Sequence, residues 1–151
     1  MSTNLRTPDI TESRSRLSVP DIASTLPARV FGAALCLAVV VIHVMDQGGF
    51  PGSKEPGYVR LGYYLLEAGG VAAGALLLSR VDAWKGWFLS LGVALGPLVG
   101  YVLSRGPGLP MYSDDRGNWT ETLGVVSLVV EGLLLLAVFA AGTVSARRQE
   151  S

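Results

Sequence analysis

Residues 121–145 read ETLGVVSLVVEGLLLLAVFAAGTVS, and this stretch decides the fold class. Between its first and last residues the only ionisable side chain is that of Glu131. A helix of about 20 apolar residues crosses a hydrocarbon core of roughly 30 Å. The stretch therefore predicts a membrane-spanning helix.

Three further apolar runs precede this one, and each is long enough to cross a bilayer. They cover residues 28–46, with RVFGAALCLAVVVIHVM at the centre, residues 58–79 (YVRLGYYLLEAGGVAAGALLLS) and residues 84–104 (WKGWFLSLGVALGPLVGYVLS). Glycine and proline concentrate between the runs, in GGFPGSKEPG and SRGPGLPMYSDDRGN, where the chain must leave the membrane. We predict an all-α, polytopic membrane four-helix bundle over residues 28–146.

The composition agrees with a lipid environment. The chain is 50% hydrophobic and 16% charged, and its mean hydropathy is +0.44, whereas about a quarter of the residues in a soluble domain are charged. The net charge is zero and the basic residues are scattered, so no basic stripe marks a nucleic-acid interface. We predict the lipid bilayer as a partner, and no nucleic acid.

The positions of Lys and Arg predict the orientation, because short cytoplasmic loops hold most of these residues. The side of both termini holds Arg14, Arg16, Arg29, Arg80, Lys85, Arg147 and Arg148, against Lys54, Arg60, Arg105 and Arg116 on the other side. We therefore predict a multi-pass protein of the cell membrane with both termini in the cytoplasm. The excess of Arg over Lys, with abundant Gly, Ala, Val and Leu, suggests a GC-rich bacterial genome and hence a bacterial inner membrane.

Both ends of the chain are predicted to be tails. Residues 1–27 are rich in Ser, Thr, Arg and Pro and cannot bury enough apolar surface to offset the entropy of ordering, so we predict a disordered cytoplasmic tail. Residues 147–151 are predicted to form a second, short cytoplasmic tail.

Glycines at four-residue spacing predict helix packing. Lipid does not drive helices together, so small residues that permit close approach carry more of the packing. The candidates are Gly70 and Gly74 in the second helix and Gly92, Gly96 and Gly100 in the third. They predict an interface within the bundle, or with a second copy or another membrane protein; the alternative is that glycine is simply frequent here.

Two acidic residues lie well inside the spans, where an unpaired charge costs several kcal/mol. Glu67 and Glu131 each fall on a small-residue face of their helix, and we predict that they share one layer. With them we predict an outward-facing ligand or ion pocket lined by Glu67, Glu131, His43, Asp46, Tyr63 and Ser127.

Three uses of such a pocket remain open. It can relay protons, coordinate a divalent cation through imidazole and carboxylate groups, or bind an amphiphilic, quinone-like molecule. The alternatives are that His43 and Asp46 are interfacial residues in contact with water, and that the two Glu side chains only join helices. The sequence leaves any metal or cofactor unknown, and Cys36, the only cysteine, excludes an intramolecular disulfide.

The connections carry less information. We expect the long loop after the third span to be solvated, although it can also cap the pocket or meet a partner. Asp82 is predicted to cap the third helix, and Asn118 with Glu121 resembles a capping box for the fourth.

Several short motifs carry a resemblance to known proteins. A His late in the first helix is followed by LLEAGGVAAGALLL, SRGPGLP and VSLVVEGLLLL. In this order they resemble small four-helix membrane proteins of actinobacteria that have no assigned activity, and the Glu and glycines of the second helix are similar to those of DoxX-like proteins. The likeness covers residues 29–145 and implies no mechanism.

We therefore predict a small integral membrane protein that acts as a non-enzymatic subunit or accessory factor. It would dock through its glycine-rich faces and outer loops to a membrane-protein partner or a second copy. The alternative is that the outward-facing pocket binds or relays a proton, a cation or a small amphiphilic ligand. No nucleophile with an adjacent base is visible, so no catalytic residue is predicted.

Overall fold

The computed structural model describes residues 25–79 and 82–147. Every regular element in this part of the chain is an α-helix: α1 is Leu26–Asp46, α2 is Gly57–Leu78, α3 is Ala83–Arg105 and α4 is Thr122–Arg147. All four helices are long and apolar enough to cross a membrane. The predicted four-helix membrane fold is confirmed at this level, and the helix bounds differ from the predicted spans by no more than two residues.

Some predictions fall outside the described residues. They are residues 1–24 and 148–151 of the two tails, and Arg14, Arg16, Arg80 and Arg148 of the orientation argument. Within the described part, Leu26 and Pro27 belong to α1 rather than to a tail, and proline is tolerated in the first helical turn because no intrahelical partner awaits its missing N–H.

Helix starts are set by carboxylates at α3 and α4. Asp82 caps α3 as predicted and accepts a hydrogen bond from the Lys85 backbone N–H (3.3 Å). The capping box predicted for α4 is wrong, because Asn118 lies in a turn before the helix begins. Instead, Glu121 alone accepts hydrogen bonds from the backbone N–H groups of Leu123 (2.9 Å) and Gly124 (2.6 Å).

We call the end of the bundle formed by Asp46, Gly57, Arg105 and Thr122 the loop end, and the opposite end the terminal end. Helices α1, α2 and α3 approach one another closely toward the terminal end. A Cβ atom added at Gly86 would lie 2.8 Å from the backbone N of Leu77, and one at Gly32 would lie 2.7 Å from the Trp87 ring. Only glycine fits at such approaches, and they draw α1, α2 and α3 together around the buried Leu77 and Trp87 side chains.

The glycines of α2 face α1. A Cβ atom at Gly70 would lie 3.3 Å from the carbonyl oxygen of Cys36, and one at Gly74 would lie 3.7 Å from that of Ala33. Arg29 of α1 closes the same contact, since its Nε donates to the carbonyl oxygen of Leu77 at the end of α2 (2.6 Å). The small-residue face of α2 therefore packs on its neighbour along the chain.

The glycine stripe of α3 behaves differently. Apart from the backbone of α3 itself and the adjacent residues, no atom of the described chain lies within 4 Å of a Cβ added at Gly92, Gly96 or Gly100. The packing predicted for this stripe within the bundle is therefore not found, because the buried Trp87, Val93 and Ala94 form the contact face of α3 instead. Packing of the stripe between two copies stays a prediction.

Gly86→Ala should destabilise the protein, whereas Gly92→Ala should not. The added methyl group at position 86 would collide with the Leu77 backbone, and overpacking costs about 1–3 kcal/mol. At position 92 the space is open, and Ala is favoured over Gly in a helix by about 0.5–1 kcal/mol. Thermal unfolding in detergent measures both variants, and a lower midpoint for Gly92→Ala than for Gly86→Ala would contradict this description of the packing.

Candidate functional site

A cavity of about 550 Å³ extends from the loop end into the bundle. All four helices and the loop between α3 and α4 contribute to its walls. Five of the six predicted pocket residues line it, namely His43, Asp46, Tyr63, Ser127 and Glu131. The volume lies within the range of about 300–1,000 Å³ that small-molecule sites occupy.

Missing side chains create much of this space. The glycine stripe of α3 and Gly62 of α2 line the cavity and face open space. Because helices in close contact need small residues at the contact itself, glycines that face open space leave a gap rather than an interface. Sequence spacing revealed the stripe, but could not tell these two outcomes apart.

Glu131 is the most deeply buried ionisable group of the cavity wall, with 1% of its side chain exposed. Its Oε1 accepts a hydrogen bond from the Ser127 hydroxyl one helical turn earlier. Its Oε2 is buried and has no hydrogen-bond partner in the described chain. A buried acceptor left without a partner costs about 1–3 kcal/mol, and more when it is charged.

His43 faces Glu131 across the cavity. The His43 Nδ1 atom lies 2.9 Å from the carbonyl oxygen of Val39, and because a carbonyl can only accept, Nδ1 is the nitrogen that carries the proton. In the neutral imidazole Nε2 is then an acceptor. It lies 3.9 Å from Glu131 Oε1, which is too far for a hydrogen bond, so neither group satisfies the other fully.

Asp46, by contrast, has its partners within the protein. The Tyr63 hydroxyl donates to Asp46 Oδ2, and the Lys54 ammonium group lies 3.4 Å from Oδ1. The Tyr63 ring also lies against the His43 ring, with 5.6 Å between ring centres. Asp46 and Tyr63 therefore hold the loop-end side of the His43 ring, and Glu131 is the carboxyl that remains incompletely paired.

The loop between α3 and α4 covers the cavity at the loop end. Leu109, Tyr112 and Asp115 line the cavity, and Tyr112 is only 6% exposed. The Tyr58 hydroxyl of α2 donates to the carbonyl oxygen of Pro110 (2.6 Å), which ties the loop across the bundle. Most of the loop is exposed, as expected, and the capping alternative describes the three residues that line the cavity.

Arg105 holds the cover in place from below. Its Nε donates to the carbonyl oxygen of Asn118 (3.0 Å), its other nitrogens lie 3.7 Å from Asp115 and 3.5 Å from Glu121, and its guanidinium stacks 4.1 Å from the Tyr101 ring centre. The sequence pattern predicts for Arg105 only a role as a charge that orients the chain, and does not reveal this one. Its place at the end of a span, followed by two aspartates in one loop, was the available signal.

Tyr112 completes the cover. Its hydroxyl donates to Asp115 Oδ2 (2.8 Å). Burial, reinforced by this hydrogen bond and by the charge of Asp115, raises the pKa of Tyr112 above its ordinary value. The hydroxyl therefore stays protonated and keeps donating at any physiological pH.

Glu67 does not line this cavity, so it is not part of the predicted pocket with Glu131; that the two lie in one layer stays a prediction. Glu67 Oε1 accepts a hydrogen bond from the Gln47 side chain (2.5 Å), just beyond the end of α1. The physical reason is that Glu67 lies on the same face of α2 as Gly70 and Gly74, and that face turns toward α1 rather than α4. In the described chain α2 and α4 are not in contact.

No family model, curated protein or solved structure matches this chain. The resemblance to four-helix actinobacterial proteins and to DoxX-like proteins stays a prediction.

The site offers hydrogen-bond acceptors within an otherwise largely apolar cavity. Within the described residues, no group of three or more His, Cys, Asp or Glu side chains is placed to hold a metal ion. Glu131 Oε2 and His43 Nε2 can instead each accept a hydrogen bond from a polar head group. The leucines, valines and glycines of α2 and α3 would surround its apolar part.

Proposed function

We propose that the protein binds a small amphiphilic molecule in this cavity, with the polar head of the ligand at Glu131 and His43. The observation that carries the proposal is Glu131, a buried residue in the wall of a cavity of about 550 Å³ whose Oε2 has no hydrogen-bond partner in the described chain. A ligand hydroxyl that donates to Oε2 would remove the desolvation cost of this atom. The proposal is one of binding without chemical conversion.

The other uses of the pocket have less support. A cation site is disfavoured because Asp46 is already paired with Lys54, which leaves Glu131 and His43 as the available ligands. A proton relay is disfavoured because Glu67 lies outside the cavity and the gap between His43 and Glu131 is 3.9 Å. Docking to a membrane-protein partner stays a prediction, since no contact surface of the described chain favours it.

We place the loop end on the outer side of a bacterial inner membrane, with both termini in the cytoplasm. The distribution of Lys and Arg supports this orientation. The cavity would then open toward the outer half of the bilayer.

The test uses 2-bromo-4-hexylphenol as the probe and 1-bromo-3-hexylbenzene, which lacks only the hydroxyl, as its matched control. Bromine quenches tryptophan fluorescence, and Trp119 lies 5.9 Å from Tyr101 of the cavity wall, ring centre to ring centre. Protein in detergent should bind the phenol at least tenfold more tightly than the hydrocarbon, because one hydrogen bond to a carboxylate is worth about 1.5–3 kcal/mol. Equal binding of the two compounds, or binding of neither, would contradict the proposal.

A further inference from the structure

The walls of the cavity differ in how far they are exposed. The lining residues of α1 and α4 are buried or half-buried, whereas Gly62 and Leu65 of α2 and Gly92 and Gly96 of α3 are exposed. The largest of these exposed side chains, that of Leu65, is on a residue that is 66% exposed. The open side of the cavity is therefore the gap between α2 and α3.

This gap lies at the depth of the hydrocarbon core. Gly96 and Gly92 precede Arg105 by nine and thirteen residues, which places them about 14 and 20 Å below the loop end at about 1.5 Å per residue. The neighbouring side chains on the same surface, Leu95 and Val99, are apolar and exposed. Acyl chains rather than water would face the gap.

At the loop end, residues of a loop line the cavity instead. The loop between α3 and α4 lies over the loop end of the cavity and is fixed by the Tyr58–Pro110 hydrogen bond and by the Gly117 N–H, which donates to the Arg105 carbonyl oxygen (2.8 Å). Behind the gap lies Glu131 Oε2, which is buried and unpartnered. The glycine stripe and Glu131 are independent features of the sequence, and both line the same cavity.

We propose that the gap between α2 and α3 is the entrance of the binding site, so that the ligand arrives sideways from the bilayer. The ligand is then a lipid-soluble molecule with a hydroxyl-type head and an uncharged apolar body. This inference rests on the proposed function and adds the route and the class of ligand. Side chains at the stripe would narrow the entrance, whereas glycines leave it open.

The test measures binding kinetics in phosphatidylcholine nanodiscs by stopped-flow quenching with 2-bromo-4-hexylphenol. Gly96→Leu places a side chain in the gap, and Gly132→Leu is the matched control, since Gly132 on α4 also has nothing within 4 Å of an added Cβ but does not line the cavity. Gly96→Leu should slow association and dissociation about tenfold each, because a plug at an entrance hinders passage both ways. Gly132→Leu should bind the probe at the wild-type rates. If Gly96→Leu does not insert into the membrane, Gly92→Leu is used in its place.

A second experiment tests whether the ligand enters from the membrane or from water. The probe with a sulfonate at the end of its hexyl chain keeps the phenol head but cannot cross the hydrocarbon core. Lateral entrance predicts at least a tenfold slower association for the sulfonate than for the parent probe. Equal association of the sulfonate would overturn the inference.

The remaining outcomes are also decisive. If the wild type does not bind the parent probe, the proposed function itself fails. If it binds but Gly96→Leu associates at the wild-type rate, or only dissociates faster, the entrance is elsewhere and the function stands. If Gly96→Leu changes the oligomeric mass in detergent, the stripe is an interface between copies and the inference is overturned.

Discussion

Glu131→Leu should weaken binding of 2-bromo-4-hexylphenol by about 10- to 100-fold and leave the protein at least as stable as the wild type. The variant removes the acceptor for the ligand hydroxyl, and a hydrogen bond to a carboxylate contributes about 1.5–3 kcal/mol, which corresponds to a loss of about 10- to 100-fold in affinity. It also removes a buried oxygen that has no partner. The freed Ser127 hydroxyl can donate to the backbone of the preceding turn.

Glu67→Leu is the matched control, because Glu67 is also a buried carboxyl in a helix but lies outside the cavity. The variant should keep the affinity for the probe and lose about 1–3 kcal/mol of stability, because the buried Gln47 amide loses its acceptor. Binding is measured by fluorescence quenching and stability by thermal unfolding in the same detergent. If the two variants lost affinity equally, the ligand would not be bound at Glu131.

Arg105→Gln should loosen the cover of the cavity. The variant leaves Asp115 and Glu121 without their cation and removes the stacking on Tyr101. Breaking a fully buried pair costs about 3–5 kcal/mol, but these carboxylates are partly exposed, so we expect a loss of about 1–3 kcal/mol. Hydrogen exchange of the Leu109, Tyr112 and Gly117 amides should quicken, since their acceptors lie in the loop or on Arg105 itself.

Arg116→Gln provides the comparison for this variant. Arg116 lies in the same loop and is exposed, so its replacement should change the free energy of unfolding by no more than about 0.5 kcal/mol. Unchanged amide exchange in Arg105→Gln, or equal effects of the two substitutions, would mean that the loop does not depend on Arg105.

The helices could be predicted from sequence because the signal is local. In lipid, an apolar segment such as the one around Glu131 must form all of its backbone hydrogen bonds within itself. A sufficiently long apolar segment therefore predicts an α-helix. The helix ends are nearly as predictable, because the capping residue Asp82 and the Gly- and Pro-rich loops lie next to the helices that they end. The capping box at Asn118 failed for a related reason, since the pattern matches but the backbone there forms a turn.

The site depends on how the helices are rotated, and the sequence does not contain that information locally. Glu67 and Glu131 have similar surroundings in sequence, yet one faces Gln47 and the other faces His43. The glycines of α2 and α3 have the same spacing, but Gly70 packs on Cys36 while Gly96 borders open space. Which face meets which neighbour is decided by bulky side chains on other helices, and only the assembled bundle reveals it.

Binding of the polar head of a lipid-soluble ligand at Glu131 is tested most directly by an anomalous difference map from crystals grown in lipid with 2-bromo-4-hexylphenol. We predict one bromine peak inside the cavity, with the phenol oxygen within about 3 Å of Glu131 Oε2. A cavity that holds only water beside Glu131, or bromine peaks confined to the outer surface of the helices, would contradict the claim.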